Sequence, residues 1–113
     1  MGLTEELPLY RVTYRLILLL FDVTKEFSRE YKYTLGQDIK RDAIRLVRSI
    51  YRANRSMEKR FYLEEYLDNF ELLKLELRLC SDLKLITIRK YVEISQLMDQ
   101  VGRQATGWKN TYK

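Results

Sequence analysis

Five arginines, Arg41, Arg45, Arg48, Arg52 and Arg55, recur at intervals of 4, 3, 4 and 3 residues. At the helical advance of about 100° per residue they fall within roughly 80° of one another, so a helix here carries a single guanidinium stripe. Lys40 precedes it, and residues 40–60 hold eight Lys or Arg against Asp42 and Glu58, a net +6 in a chain whose total is +5. The basic excess of the whole chain therefore sits in this segment. Guanidinium groups contact phosphate oxygens two at a time, and a row of them on a rigid helix follows backbone charge more readily than base edges. The chemistry expected of Lys40, Arg41, Arg45, Arg48, Arg52 and Arg55 is thus contact with RNA or DNA through phosphates. Two other uses stay open: a solvated exterior, and a bridge to acidic residues of a neighbouring subunit. The stripe itself contains no interleaved Asp or Glu, whereas a face that serves solubility alone mixes signs.

Other chemistry has little to work with. The chain has no histidine, which removes the usual general base and the commonest metal ligand. One cysteine cannot build a zinc site without histidine. Glu64, Glu65, Asp68 and Glu71 lie beside an apolar stripe, where they read as a solvated acidic face or as partners for a neighbour's arginines. Gly36, Gly102 and Gly107 stand alone, so no phosphate loop is present, and Leu35-Gly36-Gln37 reads as the first turn of a helix. Neither catalysis, a metal nor a cofactor is expected. Cys80 falls among leucines at core spacing, as a small buried hydrophobe. Tyr10, Tyr14, Tyr66 and Tyr91 are also at core spacing, which leaves Tyr31 and Tyr33, beside the basic helix, as candidates for base stacking.

The elements that position these residues are four amphipathic helices, near residues 9–27, 35–55, 60–83 and 87–107. Pro8 suits the first turn of the first helix, Thr34 with Gln37 forms a capping box for the second, and Thr87 is the N-cap of the fourth. In the second, Ile39, Ala43, Leu46 and Ile50 face a core, and Ile44, Val47 and Tyr51 widen that face toward another partner helix. Short connections, including Asp82 to Ile86, and the absence of hairpin signals predict an all-α fold. The arrangement expected is an antiparallel, up-down-up-down four-helix bundle over residues 8–108, with a loose arm at 1–7 and a polar tail at 109–113.

Two helices carry more apolar surface than one bundle buries. The first has a stripe of Tyr10, Tyr14, Ile17, Phe21 and Thr24 and a second of Leu9, Val12, Leu16, Leu20, Val23 and Phe27. The third has a core stripe from Leu63 to Cys80 and, well over 100° away, Leu72, Leu75, Leu79 and Leu83. Large apolar patches are uncommon on monomers, so a homo-oligomer is expected, with Leu72, Leu75, Leu79, Leu83 and the Leu9, Val12 and Leu16 side as its interface.

At 113 residues the chain accommodates one domain. Its longest apolar run, Leu16 to Phe21, falls far short of the roughly 20 residues that span a bilayer. The first ten residues include Glu5, Glu6 and Pro8 rather than a basic signal region. The lone Cys80 fits a reducing compartment, so a cytoplasmic protein without membrane partners is the expectation.

The segment Phe27 to Ala43, FSREYKYTLGQDIKRDA, resembles a pattern of the four-helix-bundle family that includes ribosomal-RNA intervening-sequence proteins and the accessory variability determinant (Avd) proteins of diversity-generating retroelements. YRAN from Tyr51 to Asn54, the run from Tyr62 to Ile86 ending in DLKLI, and VGRQATGWK from Val101 to Lys109 are more similar to the Avd branch. The resemblance runs from Leu7 onward. It implies a homopentamer that binds DNA and RNA, associates with the retroelement's reverse transcriptase and supports mutagenic copying of a template RNA. It transfers no catalytic residue. Lys40 and Arg41 match the family's basic pair; Arg45, Arg48, Arg52 and Arg55 extend it by spacing. The alternative is an oligomeric scaffold of the intervening-sequence type with no required nucleic-acid ligand.

Overall fold

The computed structural model describes residues 3–112 of the chain. Met1 and Gly2 of the expected arm, and Lys113 of the expected tail, lie outside the described residues. Four long helices carry the fold: α1 (Pro8–Thr24), α3 (Leu35–Arg55), α4 (Lys59–Asp82) and α5 (Ile88–Lys109), with the one-turn α2 (Arg29–Lys32) in the connection after α1. Among the described residues there is no strand. Each long helix packs on the next in sequence, and α5 closes the ring against α1.

The helix ends have local causes. Pro8 occupies the first turn of α1, where its missing N–H costs nothing. Asp38 lies in the first turn of α3 and Arg52 and Arg55 in its last, each sign complementing the helix dipole. Lys59 Nζ donates to the carbonyls of Ala53 (2.8 Å) and Asn54 (3.1 Å), satisfying acceptors that the helix end leaves open. Thr87 caps α5 as expected, its Oγ1 accepting from the Lys90 amide at 3.1 Å. Thr34 does not cap α3: its hydroxyl donates backwards to the Glu30 carbonyl at 3.0 Å, because α2 places an open acceptor within reach. Gly36 suits a close approach, since a Cβ there would stand 3.2 Å from the Tyr31 carbonyl oxygen, which would have to give by a few tenths of an ångström.

The end of α4 closes with Leu85 N–H on the Cys80 carbonyl (2.8 Å) and Lys84 N–H on the Ser81 carbonyl (3.0 Å). This pairing needs a left-handed residue between the helix and the next chain segment. Lys84 supplies it, at φ 60°.

The core is built by Leu9, Val12, Leu16 and Leu20 of α1, Ile39, Ala43, Leu46 and Ile50 of α3, Leu63, Tyr66, Leu73 and Leu77 of α4, and Ile94, Val101 and Ala105 of α5. One polar contact crosses its interior. The hydroxyls of Thr13 on α1 and Tyr66 on α4 share a hydrogen bond of 2.6 Å, both residues fully buried, so the buried phenol is satisfied. Burial pushes the Tyr66 phenol up, and the Thr13 bond offsets part of that.

Two expectations about faces, and one about the arm, are corrected. Leu9, Val12 and Leu16 are 2%, 3% and 0% exposed, so they belong to the chain's own core and not to a subunit interface. Both α1 stripes are apolar, and α3 and α5 flank this one; the other leaves Tyr14 and Phe21 outside, with Leu18 between them. Ile44 and Tyr51 do not bury against a second helix either, standing 52% and 37% exposed. Thr4–Glu6 of the arm form a 3-10 turn against α1 and α3, with Asn54 Nδ2 donating to Thr4 Oγ1 at 3.1 Å.

The tail is tied down as far as Tyr112. Its carbonyl accepts from Arg60 Nη1 at 2.7 Å, and its hydroxyl accepts from Trp108 Nε1 at 3.2 Å. No helix of the described residues is long and apolar enough to cross a membrane.

Candidate nucleic-acid interface

Because Ile39, Ala43, Leu46 and Ile50 take one side of α3 into the core, the same helical period turns Arg41, Arg45, Arg48, Arg52 and Arg55 outward, and all five are at least partly exposed. They line one shallow depression together with Ile44, Val47 and Tyr51. The surface is a basic margin along an apolar strip. Lys40 leaves this group: its ammonium sits over the Phe21 ring of α1, 5.7 Å from the centroid, a cation–π contact.

The arginines differ in what already holds them. Arg41 meets Asp38 at 3.1 Å and Asp42 at 3.2 Å, Arg45 meets Asp42 at 3.8 Å, and Arg52 meets Glu65 of α4 at 3.7 Å. The hydrogen bond to Asp42, and then its charge, holds the Arg41 guanidinium still more firmly protonated. Arg48 and Arg55 make no ion pair among the described residues. Three of the four α4 carboxylates considered as partners for another subunit are used within the chain, Glu65 by Arg52 and Ser49, Glu64 by Arg60 and Glu71 by Lys74, whereas Asp68 makes no ion pair among the described residues.

Behind the arginines lies a group that the residue pattern did not reveal. Asp42 on α3 and Glu76 on α4 are 2% and 7% exposed, and Asp42 Oδ2 and Glu76 Oε1 have no hydrogen-bond partner among the described residues. Two facing carboxylates in a buried seam repel, so one must keep its proton. Burial, then the hydrogen bond with Asp42 and the charge of Asp42, push Glu76 up to about 8. A protonated Glu76 donating to Asp42 would satisfy both orphaned oxygens, while Arg41 and Arg45 meet the other oxygen of Asp42, Oδ1. The available signal was angular: Asp42 sits beside the core stripe of α3, on the side turned to α4, about 100° from Arg41.

Cys80 is buried, and desolvation followed by the charge of Glu76 pushes its thiol up to about 12, leaving it inert as a nucleophile. Tyr33 is exposed whereas Tyr31 packs against the core, so the two stacking candidates do not form a common surface. Tyr51 is the aromatic ring that does stand among the arginines.

A family model described as bAvd-like matches residues 9–112, nearly the whole chain. No curated protein matches it.

Proposed function

The chain belongs to the bAvd-like family, and from that premise we propose that it is a nucleic-acid-binding accessory subunit of a diversity-generating retroelement. It associates with the reverse transcriptase and its template RNA in the cytoplasm and supports mutagenic copying. The family is one of accessory proteins rather than catalysts. The observation that carries the reading is the exposed arginine face of α3, in which Arg48 and Arg55 make no ion pair among the described residues. Those two guanidiniums are free to replace counterions on phosphate, the step that drives nonspecific binding.

The helices run up-down-up-down in an antiparallel bundle. Supporting that order, the turn before α1 meets the end of α3 through Thr4 and Asn54, and the start of α4 meets the chain after α5 through Arg60 and Tyr112. The subunits assemble as a cyclic homo-oligomer, a pentamer by family resemblance. Leu72, Leu75, Leu79 and Leu83 support this, standing 41–54% exposed on the outer face of α4, an apolar row that water disfavours.

The test is charge reversal at the unpaired positions. Arg48→Glu with Arg55→Glu should strongly weaken RNA and DNA binding in a filter or anisotropy assay while helicity and oligomer mass stay unchanged. Binding at parental affinity and salt dependence would remove the arginine face from the interface. A pull-down with the neighbouring reverse transcriptase, with and without its template RNA, separates the readings: capture supports the accessory role, and failure in both arms supports the intervening-sequence type of scaffold.

A further inference from the structure

The geometry points to a second nucleic-acid site, a groove between α1 and α5 that takes a single-stranded segment, its phosphates on Arg11, Arg15 and Arg103 and a base against Trp108. The groove encloses about 730 Å³, within the range of small-ligand clefts. Its α5 wall includes Arg103, Gln104, Gly107 and Trp108, spaced 1, 3 and 1 so that they share one helical stripe. Arg11 and Arg15, four residues apart on α1, form the facing wall.

Three features set this groove apart from an ordinary solvated surface. None of its three arginines makes an ion pair among the described residues. Glu6, which also lines it, stays beyond ion-pair distance of all three. The Trp108 ring is fixed, half-buried against the core with its indole N–H spent on Tyr112, so what it offers a ligand is ring surface. Finally, a Cβ at Gly107 would meet nothing within 4 Å. Glycine weakens a helix interior, and packing within the chain gives no reason for it here; a ligand backbone passing close to α5 does. Cations for phosphates beside an aromatic platform are the chemistry of single-strand binding, because a duplex hides its base faces.

This inference rests on the nucleic-acid reading above, and the experiment separates the two. Trp108 is the single tryptophan of the chain, so its fluorescence reports the groove directly. The full chain is titrated with short single-stranded oligouridylate, with oligothymidylate, with a duplex of matched charge and with inorganic polyphosphate. Either single strand should quench Trp108, whereas duplex and polyphosphate should compete without quenching. Arg15→Glu with Arg103→Glu should weaken single-strand binding at least about tenfold, because two phosphates go unneutralised. Gly107→Leu fills open space, so it should keep helicity and oligomer mass while abolishing the quench. If the parent chain binds no nucleic acid, both this site and the α3 reading fall. If it binds without quenching, or Gly107→Leu leaves the quench intact, the groove alone falls. Equal quenching by polyglutamate would assign the groove to an acidic protein partner, and a changed oligomer mass in Gly107→Leu would assign it to contact between copies; either result overturns the proposal.

Discussion

Helices α3 and α4 lie side by side in the bundle and turn opposite kinds of surface outward. On α3 the outer face is a row of arginines around Ile44 and Tyr51; on α4 it is Leu72, Leu75, Leu79 and Leu83. Both helices bury one apolar stripe at helical period, so the core alone does not explain the difference. A charged outer face is stable in water and open to anions, whereas a leucine row lowers its free energy only when something covers it. Under the proposed function the two helices would separate two tasks, contact with phosphate on one and contact with protein on the other, and the seam between them holds the Asp42–Glu76 pair.

The largest effect should come from breaking the α4 side. Leu75→Glu with Leu79→Glu places two charges where a covered apolar surface is proposed, at a cost that assembly cannot offset. Light scattering should report monomer, with circular dichroism unchanged because neither leucine is in the core. An unchanged mass would make the α4 row an ordinary exposed surface and end the contrast with α3.

Next in size is the seam. Glu76 titrates near 8 in the folded chain, above the ordinary value of 4.5, so between those values the folded state binds more protons than the unfolded state. Stability should then fall as pH rises through that window and level off above it, by an amount on the order of a few kcal/mol. Glu76→Gln keeps a donor toward Asp42 at every pH and should flatten the profile, with its advantage over the parent largest above pH 8. Urea midpoints measured on both sides of the window check this. Parallel profiles for the two chains would show that the seam is hydrated and carries no shared proton.

A finer test lies on α3. Replacing Arg48 and Arg55 singly by Gln should lower the salt slope of RNA binding by about 0.9 for each phosphate that is no longer neutralised. Arg41→Gln should weaken binding less, because its guanidinium is already engaged by Asp38 and Asp42. Equal effects at all three would mean that the internal ion pairs give way when nucleic acid arrives. The smallest effect expected is at the end of α4. Lys84→Gly relieves a left-handed lysine and should raise stability by up to about 1 kcal/mol, seen as a higher urea midpoint with an unchanged slope.

The helices themselves were legible because their apolar period is strong. Observed ends fall within a few residues of expected ones, and the outward turn of the arginines follows from Ile39, Ala43, Leu46 and Ile50 alone. What period cannot decide is which of two apolar stripes a neighbour will cover. Leu9, Val12 and Leu16 were as good a surface candidate as Tyr14 and Phe21 until α3 and α5 were placed against α1. Pairings between helices were illegible for the same reason: Glu65 with Arg52, and Glu76 with Asp42, join residues 13 and 34 positions apart. Lys84 carried no signal at all, since glycine is the residue that marks such a turn.

The Thr13–Tyr66 bond has a consequence for how uniquely the bundle is assembled. Leucine and isoleucine side chains interdigitate nearly as well after one helix slides a turn along its axis, so an oil-like interior leaves several alignments close in energy. A hydroxyl pair has no such tolerance: a shift of α1 by one turn, about 5.4 Å, strands both oxygens without water. This polar contact thus acts as an index pin between two helices that do not otherwise meet edge to edge, and Thr13→Val should give a protein of similar helicity whose core resonances broaden as neighbouring alignments become populated.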